Sequence, residues 1–139
     1  MVEPIQGERG VVLPPPGYLT KAKEILHKHN ALLICDEIQT GLGRTGKLLC
    51  SDHDGVRPDM VLLGKALSGG FYPVSAVLCD NKIMSHIKPG QHGSTYGGNP
   101  LGSATAIEAL DVILEEKLSE NSERLGKIFK KNLAQILGQ

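Results

Sequence analysis

The sequence has little of several features that mark common classes of protein. It contains no tryptophan, and 15 basic residues balance 15 acidic ones, so the formal net charge is +0 with the histidines neutral. Binding to nucleic acid or to an anionic membrane would need a basic excess or a basic face, and we expect neither partner. No apolar run approaches the roughly 20 residues of a membrane span, and no signal-peptide pattern opens the chain.

Cysteine is also scarce, and its spacing argues against two kinds of scaffold. Cys35, Cys50 and Cys79 are an odd number, lie far apart and form no CxxC pair. This pattern argues against a disulfide framework or a zinc ribbon and favours a reducing compartment. His27 and His29 are two residues apart on a predicted helix and so face different sides. We expect no metal site.

The length and the remaining composition fit one globular domain. The chain has 139 residues, of which 40% are hydrophobic and 22% charged, close to the globular average. The 17 glycines cluster in loops, and such loops often bring backbone close to a ligand.

Short apolar runs alternate with helical periodicity along the chain. The runs predict a strand covered on both faces at 31–35, a second buried strand at 60–63 and a third strand at 74–79. Apolar spacing and end signals predict helices at 17–30, from Asp80 to about 86, from Asn99-Pro100 to about 118, and at about 120–137. Met1-Val2 runs into Glu3-Pro4 like the end of a strand whose beginning is absent. The order predicts an α/β fold with a mostly parallel sheet.

Two predicted strands end in a charged residue, namely Asp36 and Lys65. Ligands of open α/β sheets bind at the carboxyl edge of the strands, so these side chains could share one site. Two other interpretations stay open: a buried ion pair that joins the strands, or separate charges that face water.

A loop of hydroxyl and glycine residues precedes the Asn99-Pro100 helix. Ser94, Thr95 and several backbone amides lie just before the helix N-terminus, where a phosphate could bind. No lysine follows the glycines, so this is not a Walker motif. An ordinary helix start with local turn bonds is the alternative.

Together these residues resemble the pyridoxal-phosphate-dependent aminotransferases of the ornithine/acetylornithine/4-aminobutyrate subgroup. The resemblance rests on the segments 33–46 (LICDEIQTGLGRTG) and 59–70 (DMVLLGKALSGG) and extends from Glu3-Pro4 through the helix after Pro100. The segment 70–78 (GFYPVSAVL) resembles the members that act on ornithine.

The resemblance implies the large domain of a fold-type I transferase. Residues 1–118 would form part of the pyridoxal-phosphate-binding large domain, and 119–139 a helix leading towards a C-terminal small domain. The chain would then be the middle of a longer enzyme, and we expect these 139 residues alone to be inactive.

The resemblance also implies a role for each site residue. Lys65 would be the Schiff-base lysine and would move the proton from substrate to cofactor. Asp36 would keep the pyridine nitrogen protonated, which makes the ring an electron sink. Gln39 would bond the phenolic oxygen and Ile38 would pack on one ring face, while Ser94 and Thr95 would reach the phosphate of the neighbouring subunit's cofactor in a homodimer.

The implied reaction moves the δ-amino group of L-ornithine to 2-oxoglutarate, giving glutamate 5-semialdehyde, which cyclises to pyrroline-5-carboxylate, and glutamate. Glu8 would mask an arginine outside this segment so that the diamino acid can present its terminal amine. The alternatives are acetylornithine or 4-aminobutyrate as amino donor, or a non-catalytic homologue. We expect the cytoplasm as location, with the mitochondrial matrix as the alternative.

Overall fold

The computed structural model describes residues 1–138 and contains a three-stranded sheet with helices packed around it. The strands are β1 (Ile34–Asp36), β2 (Met60–Leu63) and β3 (Ala76–Cys79). The α-helices are α1 (Tyr18–Lys28), α2 (Asn81–Met84), α3 (Pro100–Glu115) and α4 (Leu118–Leu137). Two 3-10 helices, Cys50–Asp54 and Lys65–Ser68, follow β1 and β2 along the chain.

The sheet is mixed. β1 and β2 are parallel, with Asp36 opposite Leu62, and Val2 adds a further parallel bridge to Cys35. β2 and β3 are antiparallel, which departs from the prediction of a mostly parallel sheet. The reason is the connection between them: residues 64–75 hold one 3-10 helix and no crossover α-helix, so the chain turns back on itself.

Two apolar clusters support this sheet. One contains Leu33 and Cys35, both fully buried, against Leu19 of α1. The other joins Val61 and Leu63 of β2 to a loop residue, a residue of the second 3-10 helix and a residue of α3, namely Leu42, Leu67 and Ile113. Because β1 and β2 are enclosed by these clusters, their polar carboxyl ends are held in fixed positions.

The helix ends follow the sequence signals with two exceptions. The side chain of Asn99 accepts a hydrogen bond from the amide of Gly102 at 2.8 Å and caps α3, as predicted. Asp80 occupies the N-cap position of α2, but its carboxylate accepts from Arg57 Nη2 at 2.6 Å and does not cap the helix. α3 ends at Glu115 rather than near 118, because Lys117 adopts a left-handed conformation (φ 52°) that starts α4.

None of the helices within residues 1–138 has the length and apolar character needed to cross a membrane.

Candidate active site

The parallel pairing of β1 and β2 brings the two predicted site residues to one edge of the sheet. Asp36 lies opposite Leu62, and Lys65 lies two residues beyond the end of β2, at the start of the second 3-10 helix. The two side chains form no ion pair among the described residues, and Lys65 is exposed. The structure therefore excludes the buried ion pair and leaves a shared site or separate charges.

The backbone of Lys65 is strained. Its φ is +41°, in the left-handed region that side chains with a Cβ avoid. Such a conformation costs on the order of 1–3 kcal/mol and is concentrated at functional sites. A Cβ placed on Gly64 would lie 3.4 Å from Cγ2 of Ile38, so the Ile38 side chain packs directly beside the residue that precedes Lys65.

Lys65 lines an open cavity of about 490 Å³, a volume within the range of small-molecule sites. The walls consist of the segment that follows Lys65, the glycine-rich loop and the first turn of α3. They include Tyr72, Ser75, Ser94, Asn99 and Ser103. The N-terminus of a 16-residue helix at this wall favours an anionic ligand group.

Ser94 and Thr95 differ in where they lie. Ser94 lines the Lys65 cavity, and its hydroxyl accepts a hydrogen bond from the amide of Gly97 at 3.0 Å. Thr95 is exposed and is not among the residues that line this cavity. The local turn bond predicted as the alternative is thus present, and within a single chain Ser94 lies on the same cavity as Lys65.

Gln39 and Glu8, predicted to contact cofactor and substrate, are in direct contact. Nε2 of Gln39 donates to Oε1 of Glu8 at 3.0 Å. The turn that carries Glu8 is held by Glu3, which accepts from the amide of Gly7 at 3.1 Å. A Cβ on Gly7 would overlap Oε1 of Gln39, so a larger residue here would force the Gln39 side chain to move.

Asp36 keeps one oxygen free. Its Oδ1 accepts from the amide of Ile38 at 3.0 Å, whereas Oδ2 has no hydrogen-bond partner in the part of the chain that the structure describes. A half-buried carboxylate oxygen with an unused lone pair can accept a hydrogen bond from a ligand N–H.

The sequence analysis missed the buried carboxylate of Glu37. This side chain is 1% exposed and accepts hydrogen bonds from the hydroxyl of Thr40 and from the amides of Cys50 (3.0 Å) and Ser51 (2.8 Å). The sequence shows Glu37 between Asp36 and Ile38, but the spacing of the residues does not indicate which of the two adjacent acids points inward.

Two cysteines near Glu37 are held as thiols. Burial raises the pKa of Cys35 to about 12, and the charge of Glu37 adds to the effect. Burial also raises the pKa of Cys50. Because the thiolate is the reactive form of cysteine, neither side chain has the character of a nucleophile here.

The remaining cavity residues were also absent from the predicted set. Tyr72 packs its ring against Gly102 at the start of α3, where a Cβ would lie 3.3 Å from Cδ1 and Cε1 of the tyrosine. Tyr72 lies in a segment used above only to distinguish members of the subgroup. The sequence could have indicated Tyr72, because this residue follows the strand end before Lys65 and lies in a loop long enough to return to that lysine.

The sequence matches the family model described as aminotransferase class-III over residues 1–139. The chain belongs to this family. A rat protein named mitochondrial ornithine aminotransferase is 64% identical over 136 residues, which cover 98% of this chain and 31% of the rat protein. The chain thus spans about a third of the length of the curated relatives it matches.

Solved structures of class-III aminotransferases show the same fold. Ornithine aminotransferase from Toxoplasma gondii is 57% identical with a TM-score of 0.95, covering 96% of this chain and 32% of that one. Acetylornithine aminotransferase from Elizabethkingia anophelis is 58% identical, also with a TM-score of 0.95, covering 99% and 36%. These neighbours confirm the predicted fold-type I class, and this chain corresponds to part of that fold.

Proposed function

We propose that this chain forms the cofactor-binding part of an enzyme that transfers the δ-amino group of L-ornithine to 2-oxoglutarate. The observation that carries the proposal is an identity of 56–64% with relatives named ornithine aminotransferase, over 96% or more of this chain. The Elizabethkingia structure is equally similar and named for acetylornithine, so that donor is the second candidate. A 4-aminobutyrate donor and a non-catalytic homologue remain as alternatives.

The residues at the sheet edge fit pyridoxal 5'-phosphate. One structure of the Toxoplasma enzyme has partial occupancy of this cofactor at its active site. In this proposal Lys65 would supply the amine for the aldehyde, the free Oδ2 of Asp36 would meet the ring nitrogen, and the start of α3 would favour a phosphate group. When bound, the cofactor supplies an aldehyde for amino groups and a ring that withdraws electrons.

The residues proposed to meet the ring would have distinct tasks. Lys65 Nζ would hold the cofactor until the substrate amine displaces it, and the freed amine would then take the proton from the substrate carbon next to the amino group. Asp36 Oδ2 would accept from the ring N–H and keep that nitrogen charged. Ile38 packs on one face of the ring, which is consistent with its place against Gly64. Gln39 would donate to the phenolic oxygen with the amide hydrogen that its bond to Glu8 leaves free.

Glu8 is proposed to choose between the two substrates. It would pair with an arginine outside this chain while ornithine binds, and release that arginine for 2-oxoglutarate. Its bond to Gln39 supports a location beside the cofactor, because it ties the Glu8 turn to the carboxyl end of β1. The neighbouring Arg9 forms no ion pair with it within residues 1–138.

Ser94 and Thr95 are proposed to bind the phosphate of a partner subunit's cofactor in a homodimer. The exposure of this segment supports the proposal, since residues 91–98 are open to contact from outside the chain. Hybrid dimers test it. One subunit would carry Lys65→Ala and the other Ser94→Ala with Thr95→Ala. If sites are shared between subunits, each hybrid keeps one intact site and about half the activity. If sites are not shared, both sites are damaged and activity stays near that of the single variants.

The reaction is tested by kinetics on the full-length protein that carries this chain. We expect kcat/KM for ornithine to exceed that for acetylornithine and 4-aminobutyrate, each with 2-oxoglutarate as acceptor. The protein should be yellow, and borohydride should fix the cofactor on Lys65, as peptide mass spectrometry would show. A preference for acetylornithine would favour the second candidate, and a colourless protein would favour the non-catalytic homologue.

Relatives from rat and Caenorhabditis elegans are named mitochondrial, whereas those from Plasmodium carry no location in their names. These names support the mitochondrial alternative over the cytoplasmic prediction for this chain. Fractionation of cells that express the full-length protein would decide between them.

A further inference from the structure

Glu37 is a charged residue in a place where charges are rare. It lies between Asp36 and Ile38, two residues proposed to contact the cofactor, yet its own carboxylate is 1% exposed. A buried carboxylate is costly unless it is fully hydrogen-bonded. Here both oxygens are used: Oε1 accepts from the amide of Ser51, and Oε2 from the amide of Cys50 and the hydroxyl of Thr40.

These bonds connect three parts of the site. The amide of Glu37 donates to the carbonyl of Leu62 at 3.0 Å and so holds it to β2. Its carbonyl accepts from the amide of Gly41 at 2.8 Å and closes the turn 37–41 that carries Ile38 and Gln39. Its carboxylate fastens that turn to residues 50–51, the start of the first 3-10 helix.

The turn is also tightly packed within itself. A Cβ on Gly41 would lie 2.9 Å from the carbonyl oxygen of Glu37 and 3.1 Å from its Cβ, so even a methyl group does not fit between them. Since both the backbone and the side chain of Glu37 are fixed, the directions of the neighbouring Asp36 and Ile38 side chains are fixed with them.

We propose that Glu37 is a positioning residue for the cofactor, acting through Asp36, Ile38 and Gln39 without touching the ring. This inference rests on the proposed function. A rigid turn holds the ring partners in the geometry that binding requires, and no ordering remains to be done when the cofactor arrives. Loss of the Glu37 bonds should therefore weaken cofactor binding and disturb the surroundings of the ring.

Two variants of the full-length protein test the proposal. Glu37→Gln keeps the size but replaces one acceptor oxygen with a donor that faces donors. Glu37→Asp keeps the charge but is one methylene too short to reach both amides. We expect the Kd for pyridoxal phosphate to rise about tenfold in each, equivalent to about 1.4 kcal/mol. The visible circular dichroism per bound cofactor should also fall, because the ring partners are displaced.

Asp59→Asn is the matched control. Asp59 also uses a carboxylate to join elements, accepting from the amide of Leu33 at 2.7 Å and bonding His27, but it lies at the other end of β2 from Lys65. This variant should lower stability while leaving the cofactor Kd within about twofold and the visible circular dichroism unchanged. If either Glu37 variant fails to fold, Thr40→Val is a milder substitution that removes one of the three hydrogen bonds to the Glu37 carboxylate and leaves the other two. We expect it to raise the Kd for pyridoxal phosphate about threefold.

Hydrogen exchange on cofactor-free protein gives a second readout. The amides of Cys50 and Ser51 should exchange faster in Glu37→Gln and at the wild-type rate in Asp59→Asn. Unchanged Kd and circular dichroism in both Glu37 variants would overturn the inference. A wild-type protein that binds no pyridoxal phosphate would instead refute the proposed function, so the two failures are distinct.

Discussion

Asn99 offers a direct test of how the start of α3 supports the cavity. Its Oδ1 accepts from the amide of Gly102 at 2.8 Å and its Nδ2 donates to the carbonyl of Tyr96 at 2.8 Å, so one side chain fastens both the helix and the loop before it. Asn99→Ala removes both bonds. Loss of an N-cap costs about 1 kcal/mol, within a range of about 0.5–2. Loss of the second bond adds about 0.5–1.5 kcal/mol, so we expect the free energy of unfolding to fall by about 1–3.5 kcal/mol.

Asn99→Asp separates stability from ligand binding. Aspartate keeps the cap oxygen, and its charge at a helix N-terminus contributes about 0.3–1 kcal/mol, which offsets much of the lost Tyr96 bond. Stability should therefore stay within about 1 kcal/mol of wild type. The same carboxylate now lies on the wall of the Lys65 cavity. There it would repel a phosphate, and the Kd for pyridoxal phosphate should rise about tenfold or more.

The assay is urea unfolding of the cofactor-free full-length protein, followed by cofactor titration of each variant. The expected pattern is a stability loss in the alanine variant and an affinity loss in the aspartate variant. Asn99→Ala with wild-type stability would refute the cap, and Asn99→Asp with wild-type affinity would refute the placement of the phosphate at this helix start.

Three further predictions concern other parts of the chain. Lys65→Ala should lower kcat by about 10²–10⁴, the range for a lost proton-transfer group, and borohydride should no longer fix the cofactor at this site; wild-type turnover would contradict the role. Glu8→Gln should lower kcat/KM for ornithine by about tenfold, or 1.4 kcal/mol, while the kinetics of 2-oxoglutarate with a monoamine donor change little; equal losses for both substrates would argue against a gate. Burial raises the pKa of Asp59, but the bonds from His27 and Leu33 outweigh burial and bring it below the ordinary 3.8. The contribution of Asp59 to stability is therefore present above about pH 4 and is lost as the pH falls through the lowered pKa. Between about pH 5 and pH 3, the free energy of unfolding of Asp59→Asn should fall by less than that of the wild type. Unfolding curves at several pH values would show this difference.

The sequence analysis found the elements that have strong local signals. The run 60–63 is a strand with those bounds, and Asn99-Pro100 begins a helix, because apolar runs and N-caps act over a few residues. The sequence analysis was wrong where a residue distant along the chain bonds a side chain that would otherwise cap a nearby helix. Asp80 has the right residue type to cap α2, but Arg57, 23 residues away, takes its carboxylate.

For the candidate site, too, the sequence predicted the local features but not the contacts between distant residues. The order of apolar runs and charges allowed Asp36 and Lys65 to be placed at neighbouring strand ends, and the register of β1 and β2 agrees. The sequence could not show that Gln39 bonds Glu8, 31 residues away, nor that the 92–98 loop folds over the cavity of Lys65. Both contacts depend on turns whose direction is set by what they pack against.

The amino-acid sequence by itself determined the chemical groups available at the sheet edge, because residue type and strand order are local properties. Only the tertiary structure decided which of two adjacent acids is buried: Glu37 is enclosed, whereas Asp36 is half-buried. Glu37 begins the turn after β1, and the buried amides of Cys50 and Ser51, 13 and 14 residues further on, donate to its carboxylate and make its burial tolerable. A charge can be buried only where donors from distant parts of the chain converge on it, and that convergence exists only in the fold.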